Sequence, residues 1–166
     1  TDDGRWVGSI SGGCLEGDAL RKARTVMSGK TPMTVRYDTR EESNQNLGIG
    51  LGCNGVIDVL IEPLVIEDKN NPIAQFDSVI NTSEPLALAT IFEGPGIAEK
   101  ILITSSQTLR NQFSNSELAN FVLNDLKQLF NTKKSGAKNY QISGLSYDVF
   151  VALVQPTVSL IIFGGG

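Results

Sequence analysis

The sequence predicts an α+β fold of mixed α/β layers, with helices packed on a mixed sheet. Three observations carry that expectation. Short apolar or alternating runs of strand type recur along the chain, two longer segments repeat their apolar residues at helical spacing, and the two kinds of segment do not follow a strict strand-helix-strand rhythm. The 166 residues suit one domain or a domain with an extension, and a hydrophobic content of 40% is enough to bury a core.

Taken in order, Asp2-Asp3-Gly4-Arg5 reads as a hairpin turn leading into a strand from Trp6 to Ile10. From Cys14 to Ser28, residues Leu15, Ala19, Ala23, Val26 and Met27 share one helical face, with Asp18, Arg21, Lys22 and Arg24 largely opposite. Gly29 supplies the stop and Pro32 follows it. Met33, Val35 and Tyr37 alternate with polar neighbours as a half-buried strand does, and Val56 to Ile61 is a more fully apolar strand beyond the polar loop Thr39 to Asn46. Asn71-Pro72 has the form of a cap and first turn for a short helix carrying Ile73, Phe76, Val79 and Ile80. Leu86 to Phe92 and Lys100 to Thr104 read as strands around Glu93-Gly94-Pro95-Gly96.

Ser114 and Glu117 have capping-box spacing and open a helix in which Leu118, Phe121, Val122, Asp125, Leu126 and Leu129 repeat at helical intervals. Tyr140 to Ser143 and Ser146 to Val154 then form a hairpin through Gly144-Leu145. Val158 to Phe163 stops on Gly164-Gly165-Gly166, and a strand running into glycines is how a dinucleotide-binding βαβ unit begins. The chain is therefore read as part of a longer protein, with residues 1–155 as one domain and 156–166 as the start of another.

Composition narrows the function classes. A net charge of −4, with acids and bases interspersed, leaves no electrostatic footprint for nucleic acid or an anionic membrane surface. No apolar run approaches the roughly 20 residues that span a bilayer, and the N-terminus has no secretory signal pattern, so the expected location is the cytoplasm. Two cysteines are too few for a disulfide framework. The absence of histidine removes Ser-His and Cys-His nucleophile pairs and every His-containing zinc site. Catalysis of any kind would fall to carboxylate, lysine, tyrosine or thiol.

Both cysteines sit at the edge of a glycine cluster, Ser11-Gly12-Gly13-Cys14-Leu15-Glu16 and Gly48-Ile49-Gly50-Leu51-Gly52-Cys53-Asn54-Gly55. The second contains a bare GxGxxG pattern, yet a polar loop precedes it and a strand follows, the reverse of the dinucleotide fingerprint. It is either a glycine-rich turn or a loop whose N–H groups line a ligand pocket. The first leads from a strand into a helix, where free N–H groups and the positive end of the dipole favour an anion and lower the pKa of Cys14. Cys14 is otherwise a small packed hydrophobe, and Glu16 a first-turn carboxylate favoured by the dipole.

These clusters, in this order and followed by Val56-Ile57-Asp58-Val59-Leu60-Ile61-Glu62-Pro63-Leu64, resemble the XdhC/CoxI family, accessory factors for xanthine and carbon monoxide dehydrogenases. The likeness extends to Val149-Phe150-Val151 and to Pro156 through Gly166. The resemblance implies a protein that binds and protects the molybdenum cofactor (molybdopterin) and assists exchange of an oxo for a sulfido ligand with a cysteine desulfurase-type sulfur donor. It then delivers the cofactor to a molybdoenzyme apoprotein of xanthine dehydrogenase type. Cofactor binding is expected at Ser11, Gly12, Gly13, Cys14, Glu16, Gly50, Gly52, Cys53, Asn54 and Gly55, with Cys14 and Cys53 in contact with molybdenum and no catalytic residue of its own. Residues 1–155 become the cofactor-binding domain and 156–166 the first strand of a truncated Rossmann domain, to whose missing part NAD(P) would belong. A homo-oligomer is expected, with no nucleic-acid or membrane partner. The alternative is a substrate or dimerisation domain of a nicotinamide-dependent oxidoreductase.

Overall fold

The computed structural model describes residues 5–11, 15–38, 40, 55–68, 71, 73, 84–156 and 164. The chain divides into two units, Thr1–Val65 and Ile66–Gly166. Helices and antiparallel strands build both, which is the expected α+β class.

In the first unit, helix α1 (Glu16–Gly29) precedes β1 (Met33–Asp38) and β2 (Val56–Ile61). The two strands pair antiparallel, with Val35 opposite Val59 and Tyr37 opposite Ile57. Alternation sends Val35 and Tyr37 inward, where they meet Leu15, Met33, Ile57, Val59 and Ile61. Outward-facing Arg36 and Asp58 lie directly opposite one another and form a two-pronged ion pair at 2.7 and 3.0 Å. Ala19 and Val26 are buried as the helical pattern requires, whereas Met27 is exposed. The helix ends one residue later than expected: Gly29 is its last residue and Lys30 takes the left-handed cap, at φ 52°.

The expected strand from Trp6 to Ile10 does not form. Gly8 turns the chain at φ 89°, and the N–H groups of Ile10 and Ser11 both go to one carboxylate oxygen of Glu16. Successive strand N–H groups point to opposite sides, so this convergence is incompatible with a ladder. The loop Thr39 to Asn46, apart from Arg40, the helix expected after Asn71-Pro72, apart from Ile73, and the run Val158 to Phe163 lie outside the described residues.

The second unit holds β3 (Leu86–Glu93), β4 (Lys100–Ile103), β5 (Thr108–Asn111), helix α2 (Ser116–Thr132), β6 (Gly136–Ile142) and β7 (Leu145–Val154). The strands form one antiparallel sheet in the order β5-β4-β3-β7-β6. One sheet face supplies Ala87, Ala89, Ile91, Ile101, Ile103, Val149 and Val151 to a core closed by Leu118, Val122, Leu126 and Leu129 of α2. The helix cap is Asn115, whose side-chain oxygen accepts from the Leu118 N–H at 3.0 Å. Ser114, the expected cap, instead gives its N–H and hydroxyl to the Glu99 carboxylate. Asp125, the polar break in the α2 stripe, accepts from the Tyr140 hydroxyl at 2.5 Å and pairs with Lys138 at 3.0 Å. The hairpin turn is Ser143-Gly144, one residue earlier than expected; both have positive φ, as a two-residue turn that matches strand twist demands.

Candidate functional site

The segment leading into α1 is organised around one carboxylate. Oε1 of Glu16 accepts from the Ser9 hydroxyl at 2.6 Å, the Ile10 N–H at 2.8 Å and the Ser11 N–H at 2.9 Å. Oε2 accepts from the Ser11 hydroxyl at 3.1 Å, and the same Ser11 oxygen accepts from the Leu15 N–H at 2.9 Å. Ser11 thus satisfies the N–H of Leu15, the residue in the cap position, whose own side chain makes no capping hydrogen bond. Leu15 is instead fully buried and anchors the helix start to the first unit's core. The Ser11 N–H, the Ser9 hydroxyl and then the Ile10 N–H hold the Glu16 carboxyl well below the usual carboxylate range, against a smaller upward push from burial.

A second carboxylate, Asp18, lies two residues along in the same first turn. Burial pushes Asp18 up, but the Tyr37 hydroxyl at 2.8 Å, Arg21 at 3.0 Å and Lys22 at 3.4 Å outweigh it, and the net shift is downward. Burial, then the hydrogen bond to Asp18, raises the Tyr37 phenol from 10.0 to about 12. Its neutral form is favoured by the fold, so its contribution is complete below pH 10 and is lost as pH rises through about 12. In a denaturation series across that window, the wild type is expected to lose stability more steeply than Tyr37→Phe; parallel curves would remove Tyr37 from the alkaline response.

Glu16 and Asp18 together change the electrostatics expected of this helix start. Both lie in the first turn, where their negative charges already match the positive end of the dipole. An anionic group approaching there meets two carboxylates.

Beside this helix start lies a groove of about 490 Å³. Trp6 to Ile10, Ala19, Leu20 and Ala23 of α1, and Val59 to Ile61 of β2 with Glu62 just after it line the groove, together with Glu16. Its lining is mostly apolar. Trp6, Val7 and Ile10 keep large exposed surfaces.

Of the residues expected to bind a cofactor, Ser11 and Glu16 are brought together in the hydrogen-bonded cluster, and Gly55 immediately precedes β2. Gly12, Gly13, Cys14, Gly50, Gly52, Cys53 and Asn54 lie outside the described residues. Among the described residues, no group of three or more His, Cys, Asp or Glu side chains is placed to hold a metal ion. Sequence reasoning missed Ser9 and the Ile10 N–H. The available signal was a pair of serines just ahead of a first-turn glutamate, donors placed to meet that acceptor.

Residues 1–38 match the model of the XdhC and CoxI family, a span that ends with β1 and includes the Glu16 cluster. A protein from Bacillus subtilis (strain 168) described as a probable xanthine dehydrogenase subunit is 26% identical over 167 residues, covering 98% of this chain. The N-terminal segment of the chain is thus similar to the XdhC and CoxI family. A crystal structure of a xanthine dehydrogenase from Bacillus halodurans matches with a TM-score of 0.58 and 25% identity, covering 93% of this chain. The chain spans less than half of either relative, 45% of the first and 41% of the second. Among the described residues, no helix is long and apolar enough to cross a membrane.

Proposed function

We propose that this chain is of the XdhC/CoxI kind, the cofactor-handling part of an accessory factor serving a molybdoenzyme of xanthine dehydrogenase type. In this role it binds the molybdenum cofactor, shields it during sulfuration by a cysteine desulfurase-type donor, and passes it to the apoprotein. The observation that carries the reading is the family match over residues 1–38, which contains the SGGC loop and the Glu16 cluster beside it. The donor set fits the group. Two soft thiols, Cys14 and Cys53, suit molybdenum, and glycine-rich backbone suits a pterin phosphate, which the carboxylates of the first turn exclude from the helix dipole itself. When bound, the cofactor supplies the oxo-to-sulfido chemistry. The chain's own residues bind and orient it: Gly12, Gly13, Gly50, Gly52 and Gly55 allow close approach, Cys14 and Cys53 face the metal, and Ser11 and Glu16 fix the chain beside them.

Equilibrium binding of cofactor released from a molybdoenzyme tests this. The Cys14→Ala/Cys53→Ala variant is expected to bind at least roughly tenfold more weakly than wild type, about 1.4 kcal/mol. Equal affinity would refute the thiol assignment.

The relatives' description as xanthine dehydrogenases favours a second reading, a substrate or dimerisation domain of a nicotinamide-dependent oxidoreductase. Hydride transfer by the longer protein, undiminished in the double cysteine variant, would select it.

A further inference from the structure

We propose that the edge of β6 is a self-association surface, where β6 of one chain pairs antiparallel with β6 of a second copy and joins two Ile66–Gly166 units through one continuous sheet. The sheet has two edges, and they are not alike. β5 is four residues long and its register shifts against β4, two features that blunt an edge. β6 runs for seven residues without proline or bulge, in unbroken register with β7 from Gly136 opposite Val151 to Ile142 opposite Leu145. The two-residue turn makes Ile142 and Leu145 a hydrogen-bonded pair, so by the alternation of an antiparallel ladder Ala137, Asn139 and Gln141 turn their N–H and C=O groups away from β7. All three residues are exposed, and among the described residues nothing pairs with those outward backbone groups. The side chains of Asn139 and Gln141 do not cover them, because they are bonded across the sheet face to Ser146, Asp148 and each other.

A row of open backbone groups accepts any extended strand, and what selects a second copy is self-complementarity. Pairing about a twofold axis at Asn139 sets Ala137 against Gln141 of the copy and Asn139 against its own counterpart, so all three residues exchange both bonds. The one charge on the strand then meets no like charge: Lys138 lies across from Tyr140 of the copy, whose hydroxyl is bonded to Asp125. Within its own chain Lys138 is paired with Asp125 at 3.0 Å, so it does not guard the edge as an unpaired lysine would. Sliding the strands by two residues leaves one of the three residues unpaired, and in one direction it sets Lys138 against Lys138. Phe121, one turn before Asp125 on the same side of α2, is 51% exposed and adds apolar surface beside the edge.

Sedimentation equilibrium of the full chain, with amide hydrogen exchange at low and high protein concentration, tests the pairing. A dimer with a dissociation constant of about 10 to 100 μM is expected, weak because a strand edge buries less area than a standard interface. Raising the concentration through that range is expected to slow exchange at Ala137, Asn139 and Gln141, with little change at Lys138 and Tyr140, whose N–H groups are already held by β7. Asn139→Lys keeps the backbone donor but puts two lysines opposite each other at the axis, whereas Asn139→Pro removes the donor and spares the ladder to β7. Both are expected to weaken association roughly tenfold or more with the circular dichroism of the wild type. A chain that stays monomeric up to about 1 mM overturns the proposal and leaves the edge to a strand of a different protein. Exchange at the three amides that ignores concentration overturns it too, since any dimer then forms elsewhere, as does wild-type association in both folded variants.

Discussion

Replacing Leu126 with alanine is expected to lower the unfolding free energy of the Ile66–Gly166 unit by about 3 to 4 kcal/mol, the middle of the range for buried leucine. Leu126 is fully buried in the middle of α2, between Val122 and Leu129, and faces a sheet surface built from small and β-branched residues. Alanine there loses the transfer free energy of three carbons and leaves a cavity that the flat sheet is poorly able to close, since its strands are held in register on both sides. A loss of that size is a large fraction of the roughly 5 to 15 kcal/mol that stabilises a typical domain. Urea unfolding followed by far-ultraviolet circular dichroism checks it, with a midpoint lowered by roughly 1 M or more at unchanged slope. The control is Phe121→Ala, at a position 51% exposed, where about 1 kcal/mol or less is expected. Equal effects at the two positions would show that α2 packs by a different face.

That contrast also marks where the sequence stopped being legible. Helical spacing places Leu118, Phe121, Val122, Asp125, Leu126 and Leu129 on one broad arc, but the sheet covers only the part centred on Leu118, Val122, Leu126 and Leu129. Phe121 and Asp125 lie at its margin, and nothing in a one-dimensional pattern says how wide the covering surface is. Asp125 is explained only by Tyr140 and Lys138 of β6, which reach it from a strand whose polar character hid most of its length. The same reason concealed β5, Thr108–Asn111: an edge strand paired on one side and largely exposed carries no apolar alternation. Central strands were legible because burial on one or both faces forces the pattern. The boundaries that slipped by one residue, at Asn115 for Ser114, Lys30 for Gly29 and the turn Ser143-Gly144 for Gly144-Leu145, were decided by which polar side chain or left-handed residue the tertiary contacts selected.

At the candidate site, the glycine and cysteine clusters and the family they resemble were legible, while the internal use of Glu16 was not. A first-turn glutamate reads the same whether its oxygens face solvent, a ligand or the preceding segment. Only the turn at Gly8, which brings Ser9 to Ser11 back over the helix start, separates those uses. The strand expected from Trp6 to Ile10 failed for the same reason: a charged acceptor that takes several N–H groups competes well against an unpaired ladder.

Gly94→Ala is the second large effect, about 3 kcal/mol or more of destabilisation from two independent sources. Gly94 follows β3 with φ at 107°, beyond the small left-handed region that other residues visit. A Cβ built there lies 2.4 Å from the Ser146 carbonyl oxygen and 3.2 Å from the Tyr147 Cα. Both atoms belong to the backbone of β7, so no side-chain rotation relieves the overlap. The contact falls where the β3–β7 register already shifts between Ile91 and Glu93, and moving Gly94 away pulls against the Glu93–Asp148 pairing beside it. Gly144 provides the comparison. It has φ at 81° but open space around the added carbon, so Gly144→Ala carries the conformational cost alone, about 1 to 2 kcal/mol. Thermal unfolding of the two variants separates the terms: Gly94→Ala is expected to melt at the lower temperature, with faster amide exchange concentrated where β3 and β7 pair near Glu93 and Asp148. Equal melting temperatures would mean that β7 yields to the added methyl group and that the close approach of the two strands contributes nothing beyond backbone strain.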